Sequence, residues 1–517
     1  MRPRTTAPRL SAGVALAAVL TTVLAACGGS DGSGESSAGG TTTIRAAQIL
    51  APPSFDPALI TVGPAYNYSA AAYENLVNVE TDGTLVPGIA TEWEYTSATQ
   101  LVLKLRTDVE FTDGTTLDAA LVAANIERYK ATPGPPQARM KSIETVTVTD
   151  DSTVTLDLNT ADLSLPQAFS ESAGMMVSQA AIDDPSMLTD APAGSGPWVY
   201  APDESTPGSE YVYEASETYT GPVEVGFDRI EFVVIADNTA ALNALLAGDV
   251  DVASAQYSQA ETAKSRGMAG TSRLALVSGL WLFDREGAVV PAMADVRVRQ
   301  AINYAIDREA VANALWSKYQ QTTDQIYGPD SSGFDADLDE TYPYDPEKAE
   351  ELLAEAGYED GFTLPIVTRQ TYNDAARTEA IAPYLDAVGI KVEIVDRTND
   401  FEAAVAGDEF AAAQGQARSL QSYVTATQFL LPTGQYNPFE SSDPELDALF
   451  TTAANELDET KSAEDWQAVS TWLVDNAWFA PIAFFNSDTI YNPEVLDVEM
   501  TVGFPVSLPS EWKPAEG

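Results

Sequence analysis

The chain has 517 residues, with 77 acidic and 27 basic side chains and no histidine, for a formal charge of −50. That balance excludes nucleic acid as a partner. The missing imidazole excludes Ser-His-Asp and Cys-His catalysis and histidine metal sites, and with Cys27 as the only cysteine there is neither a disulfide nor a thiolate metal cage.

Arg2, Arg4 and Arg9 precede an apolar run from Val14 to Ala26. The run is shorter than the roughly 20 apolar residues that span a bilayer, so residues 1–26 read as a secretory signal peptide. Leu24-Ala25-Ala26-Cys27 resembles the bacterial lipobox. That resemblance implies that Cys27 is lipidated and becomes the new N-terminus, holding the protein at the outer face of the cell membrane. Glycine, serine and acidic residues dominate from Gly28 to Gly40. They have little to bury against their ordering entropy, so 27–40 reads as lipidated cysteine plus flexible tether. A G-x-S-x-G match inside it has no strand before or helix after, and is accidental.

Leu101, Leu103 and Leu105 alternate with polar residues, as in a half-buried strand. Val146 and Val148, then Val154, Leu156 and Leu158, flank Asp150-Asp151-Ser152 and predict a hairpin. Ile230 to Ile235 predicts a strand, Asp237 caps a helix over 238–247 closed by Gly248, and Val250 and Val252 open another strand; this is a strand–helix–strand unit. Val298, Ala301, Ile302 and Ala305 share one helical face behind Asp295. Asp307 caps a further helix ending near Trp316. Asp345 caps another with Pro346 at its first position and Gly357 at its stop. Residues 375–388 read as a helix ending at Gly389, and 390–395 as a strand.

Asp335, Asp337 and Asp339 alternate like the start of a calcium loop, but Glu340 occupies the position that needs glycine, so an acidic surface loop is expected and no metal site. No phosphate-cradling glycine loop is present, and no cofactor or catalytic residue is signalled. A secreted glycoside hydrolase working through two carboxylates stays open as an alternative.

Several segments resemble one family. Ser54-Phe55-Asp56-Pro57, Tyr73-Glu74-Asn75-Leu76, Pro87-Gly88-Ile89-Ala90, Leu105-Arg106, Asp113-Gly114, Gly194-Ser195-Gly196-Pro197-Trp198, the run from Asp295 to Arg308, and Tyr344 to Tyr358 follow the order of motifs in family 5 of the extracellular solute-binding proteins of ABC importers, the oligopeptide, dipeptide and nickel type. The resemblance implies a two-lobed α/β periplasmic-binding-protein-like fold of the class II type, with an extra third domain inserted in the first lobe. Residues 41–72, 191–273 and 481–517 are expected to form the first lobe, 73–190 the extra domain and 274–480 the second lobe. Gly114 and Gly196 are expected at turns, and Val298 and Ile302 in the core.

The same resemblance implies a monomeric binder, not an enzyme, that captures oligopeptides or a related small organic solute and delivers it to an ABC permease and its ATPase subunits. A sensor or chaperone module is a further alternative. Peptide-binding relatives anchor the peptide amine with an aspartate in a stretch that corresponds to Gly415 to Leu430, where this chain has no carboxylate and one cation, Arg418. Arg418 is therefore expected to meet an anion on the ligand. Tyr66, Met175, Trp281, Arg369 and Tyr423 are the other expected ligand contacts, from their places near the lobe crossings and cleft loops.

Overall fold

The computed structural model describes residues 42–316, 320–370, 374–418 and 421–515. The expected signal peptide, Cys27 and the tether lie outside the described residues.

Two long antiparallel strands, Ala269–Leu282 and Phe479–Tyr491, organise the molecule. At one end, Asp488–Tyr491 also pairs with Val252–Ala255, which continues the sheet through Thr43–Gln48, Arg229–Val234, Glu210–Ala215 and Trp198–Tyr200. At the other end, Leu276 to Leu282 pairs with Ala412–Arg418, followed by Phe362–Thr368 and Ile390–Asp396. The register between the two long strands shifts between Leu274 and Leu276 and again between Ser278 and Gly279. Bulges of this kind bend a strand and sharpen its twist.

The buried side chains divide at the same place. One set of clusters draws on residues 44–263 and 490–512, and the large second set on residues 277–484. The protein is thus a two-lobed α/β molecule, with a third unit packed on the first lobe. That unit holds an antiparallel sheet in the order Ala90–Ser97, Gln100–Leu105, Thr153–Leu158, Ile143–Asp150. Helix Ala119–Ala131 is capped by Asp118, whose carboxylate accepts from the Leu121 amide at 2.8 Å. It lays Leu121, Val122, Ile126 and Tyr129 into one cluster with Leu101, Leu103, Val154 and Leu156. Burying each such side chain contributes about 1.5–3 kcal/mol. The expected hairpin is present, with Val148 opposite Val154, but Val148 is 45% exposed because its strand is the sheet edge.

The punctuation read from the sequence is in place. The Asp237 carboxylate accepts from the Ala240 amide at 2.8 Å, and Gly248 closes helix Asn238–Ala247 in the left-handed conformation. The strands on either side of that helix run parallel to Thr43–Gln48, one on each edge of it. Asp295, Asp307 and Asp345 accept from the amides of Arg297, Ala310 and Lys348. Val298 and Ile302 are fully buried. Asp335 caps a short 3-10 turn, Ala336–Glu340, and Asp339 accepts hydrogen bonds from Thr323 and Gln325.

One expectation needs correction. Gly114 occupies a turn with φ +80°, as predicted, but Gly196 does not have positive φ. Its amide donates to the Ala72 carbonyl at 2.9 Å, and a Cβ there would lie 2.3 Å from the Ala72 carbonyl carbon. Gly196 is needed for backbone-to-backbone approach, not for a turn.

Candidate functional site

Strand Ala412–Arg418 is parallel to Phe362–Thr368 on one side and antiparallel to Ala269–Leu282 on the other. Its last residue, Arg418, stands opposite Leu276, immediately beside the first bulge. This position carries the guanidinium out of the second lobe and against the rest of the molecule. Its Nη2 donates to Glu171 Oε1 at 3.1 Å, and its Nε and Nη2 donate to the Gly503 carbonyl at 3.0 and 2.8 Å.

Glu171 has a second cation beside it, Arg139, at 3.6 Å. Burial pushes the Glu171 carboxyl up, but the guanidinium groups of Arg418 and Arg139 outweigh it and hold the group below the usual carboxylate range. Arg418 also lies 5.5 Å from the centre of the Phe504 ring, which packs on Tyr66 at 6.0 Å. Tyr66 is 1% exposed, and burial, with the Glu171 charge, raises its phenol far above the ordinary value. Two expected contacts, Tyr66 and Arg418, therefore meet around Glu171 and Phe504. Nothing local in the sequence marks those last two residues; only the tertiary fold places them there.

Met175 is fully buried in the same cluster as Tyr66, and its carbonyl accepts from the Tyr129 hydroxyl at 2.5 Å. Tyr423 lies on helix Ser422–Phe429, just beyond Arg418. Its hydroxyl crosses to the Ala161 carbonyl at 3.0 Å, and nearby Gln421 donates to Gln167 at 3.3 Å. Both contacts run in parallel with the Arg418 bridge.

Trp281 and Arg369 lie elsewhere. Trp281 packs edge-on against Phe429 and Phe479 in the second-lobe core, and a Cβ on Gly415 would sit 1.8 Å from its Nε1. Arg369 follows the C-terminal end of strand Phe362–Thr368 and donates to Asp374 at 2.9 Å, with its guanidinium 4.2 Å over Phe401. Arg377 shares Asp374 at 3.0 Å and donates to Gln416 at 3.0 Å. Asp374 has no exposed surface, and burial raises its carboxyl despite the two guanidinium groups. Gln416 and Arg418 are two residues apart on one strand, so they share a face. That face joins the Arg369–Asp374–Arg377 group to the Arg418–Glu171 bridge. In each group two guanidinium groups flank one carboxylate, Arg369 and Arg377 at Asp374 and Arg418 and Arg139 at Glu171. Such an array offers charge-assisted hydrogen bonds to an anionic group. Among the described residues, no group of acidic, histidine or cysteine side chains is arranged to hold a metal ion.

A family model described as bacterial extracellular solute-binding proteins, family 5 Middle, matches residues 84–441. The chain belongs to this family. Heme-binding protein A of Haemophilus influenzae is 26% identical to this solute-binding protein, with 92% of this chain and 94% of that protein aligned. The glutathione-binding protein GsiB of Pectobacterium atrosepticum is also 26% identical, over 81% of this chain and 83% of its own. Among solved structures, the periplasmic binding protein DppA of Helicobacter pylori, in complex with the peptide STSA, superposes with a TM-score of 0.78 at 19% identity, covering 92% of this chain and 98% of its own. The family works outside the cytoplasm and supplies ligands to an ABC permease and its ATPase.

Proposed function

We propose that this solute-binding protein captures a peptide or a related small organic solute bearing a carboxylate, and presents it to a membrane permease without altering it. The observation that carries the reading is the Arg418 guanidinium, which leaves the second lobe beside the strand bulges and is bound by Glu171 and the Gly503 carbonyl. A ligand carboxylate entering there competes with Glu171 for Arg418. Arg369 and Tyr423 supply further contacts, and Tyr66 and Met175 the apolar wall. Trp281 acts from behind, by packing. Peptides, glutathione and heme, the ligands in the names of the relatives, all carry carboxylates, which supports the charge argument. The amine anchor expected of a simple peptide binder has no carboxylate in 415–430, which favours ligands held mainly by their anionic end.

We assign 41–72, 191–273 and 481–517 to the first lobe, 73–190 to the extra domain and 274–480 to the second lobe. The buried clusters follow this division in outline, but Ile482, Ala483 and Phe484 pack with the second lobe, and Met175, Val177, Ala181 and Leu188 with the first. A ligand bridging the lobes shifts their equilibrium only by its differential affinity for the closed form. Cys27 carries the lipid, and the protein acts as a monomer. Native mass spectrometry of freshly purified protein tests the reading. We expect a co-purified carboxylate-bearing organic ligand, lost on Arg418→Ala. Turnover of a glycan panel, with no retained ligand, would instead support the hydrolase alternative, which the family match does not favour.

A further inference from the structure

A cavity of about 260 Å³ borders Tyr66, and among the described residues none between 274 and 480 lines it. It is large against the roughly 30 Å³ that one water occupies in the liquid. Its floor is built by Tyr66, Tyr73, Glu74 and Glu511, all less than 9% exposed, and its mouth is ringed by the exposed Glu80, Glu224 and Glu499. Lys513, the one basic residue in the lining, is paired with Glu499 at 3.3 Å.

Two floor groups have unmet needs. Glu511 accepts from the backbone amides of Thr501 and Leu508 at 2.7 and 2.6 Å and from the Thr501 hydroxyl. These partners are neutral, so its charge has no counterion among the described residues. Glu74, in contrast, is paired with Arg106 at 2.5 Å. Asn75 donates to the Ser170 carbonyl at 2.8 Å and lies within reach of the Tyr66 hydroxyl, but its buried Oδ1 has no partner of good hydrogen-bond geometry among the described residues. An uncompensated carboxylate and an idle acceptor beside tyrosine rings call for one chemistry: positive charge, N–H donors and a short apolar body.

We propose that this cavity is a second ligand site, taking a small organic cation such as an alkylammonium or guanidinium group. The acidic mouth concentrates cations at the entrance. Glu511 neutralises the charge, Asn75 Oδ1 receives an N–H, and the Tyr66 and Tyr73 rings close on the apolar part. The site depends neither on the Arg418 bridge nor on the importer reading.

Calorimetric titration of the full chain with diaminobutane tests this, with butanediol as the uncharged isostere. We expect saturable one-to-one binding of the diamine and none of the diol. Glu511→Gln should weaken the diamine about tenfold, the loss of one charge-assisted hydrogen bond. The Glu80→Gln/Glu224→Gln double variant changes only exposed side chains and should weaken the diamine by less than Glu511→Gln does. Glu350→Gln, an exposed acid on helix Pro346–Glu355, serves as the control for charge loss alone and should change nothing. Equal binding of diol and diamine, no saturable binding, or equal losses in Glu350→Gln and Glu511→Gln would each overturn the proposal.

Discussion

Arg418 and Glu171 are separated by 247 positions in the chain and meet at 3.1 Å, with side chains 15% and 9% exposed. The pair is the charged tie between the second lobe and the unit packed on the first. Breaking a pair this buried by removing one partner costs about 3–5 kcal/mol, and here Arg139 retains part of it. Arg418→Ala is expected to lower the melting temperature and enlarge the radius of gyration in small-angle scattering. An unchanged radius would show that the pair does not hold the lobes together. Because the Glu171 carboxyl is held below its ordinary value in the folded state, its contribution is present above the ordinary carboxylate range. It is lost only as pH falls through the depressed folded value.

Asp374 sits between Arg369 and Arg377 with no exposed surface. Asp374→Ala leaves two guanidinium groups facing each other without a shared anion, and about 3–5 kcal/mol of stability should be lost in urea unfolding. Arg369→Ala leaves the Asp374–Arg377 pair intact. It should cost less stability and more ligand affinity, which separates its two roles.

Glu511 is pushed up to about 7 by burial, opposed by its hydrogen bonds to Thr501 and Leu508 and reinforced by the nearby Glu499. The folded value lies above the ordinary 4.5, so folding takes up a proton between those two limits. The stability this confers is complete below about pH 4.5 and disappears as pH rises through about 7. The melting temperature of the parent chain minus that of Glu511→Gln should therefore be larger at pH 5 than at pH 8. A pH-independent difference would refute the assignment.

Gly196→Ala and Gly114→Ala should behave differently. At Gly114 nothing lies within 4 Å of an added Cβ and the cost is the left-handed φ of +80°, about 1–2 kcal/mol. At Gly196 the added atom meets backbone at 2.3 and 2.5 Å, and the segment cannot yield without losing its bond to Ala72. Chemical denaturation should find the second variant much the less stable.

Cys27 is expected to carry diacylglyceride when the protein is isolated from its native membrane. Intact mass measurement checks this, and Cys27→Ala should release the chain to the medium.

The capping aspartates and the stopping glycines were legible because caps act within one turn of the chain. Asp237 with Gly248, and Asp345 with Pro346, illustrate this. The pairing of Ala269–Leu282 with Phe479–Tyr491 was not, since its partners lie some 200 residues apart and the strands carry no clean alternation. At the site, Tyr66 and Arg418 came from their positions along the family pattern. Glu171 and Phe504 escaped because a partner that arrives through the tertiary fold leaves no local mark. Trp281, singled out as an aromatic beside a crossing, serves the core: Gly415, two residues along the neighbouring strand from its partner Ala413, is what admits its indole.

The paired long strands carry a mechanical consequence. At Arg273 and Leu274, opposite Ser487 and Asn486, no further strand flanks the pair among the described residues, and a ribbon only two strands wide bends more readily across its face than it stretches. It behaves as a leaf spring with its soft spot at the Leu274–Leu276 irregularity. Any change in the alignment of the two halves is therefore expected to concentrate at this narrow crossing and leave each half intact.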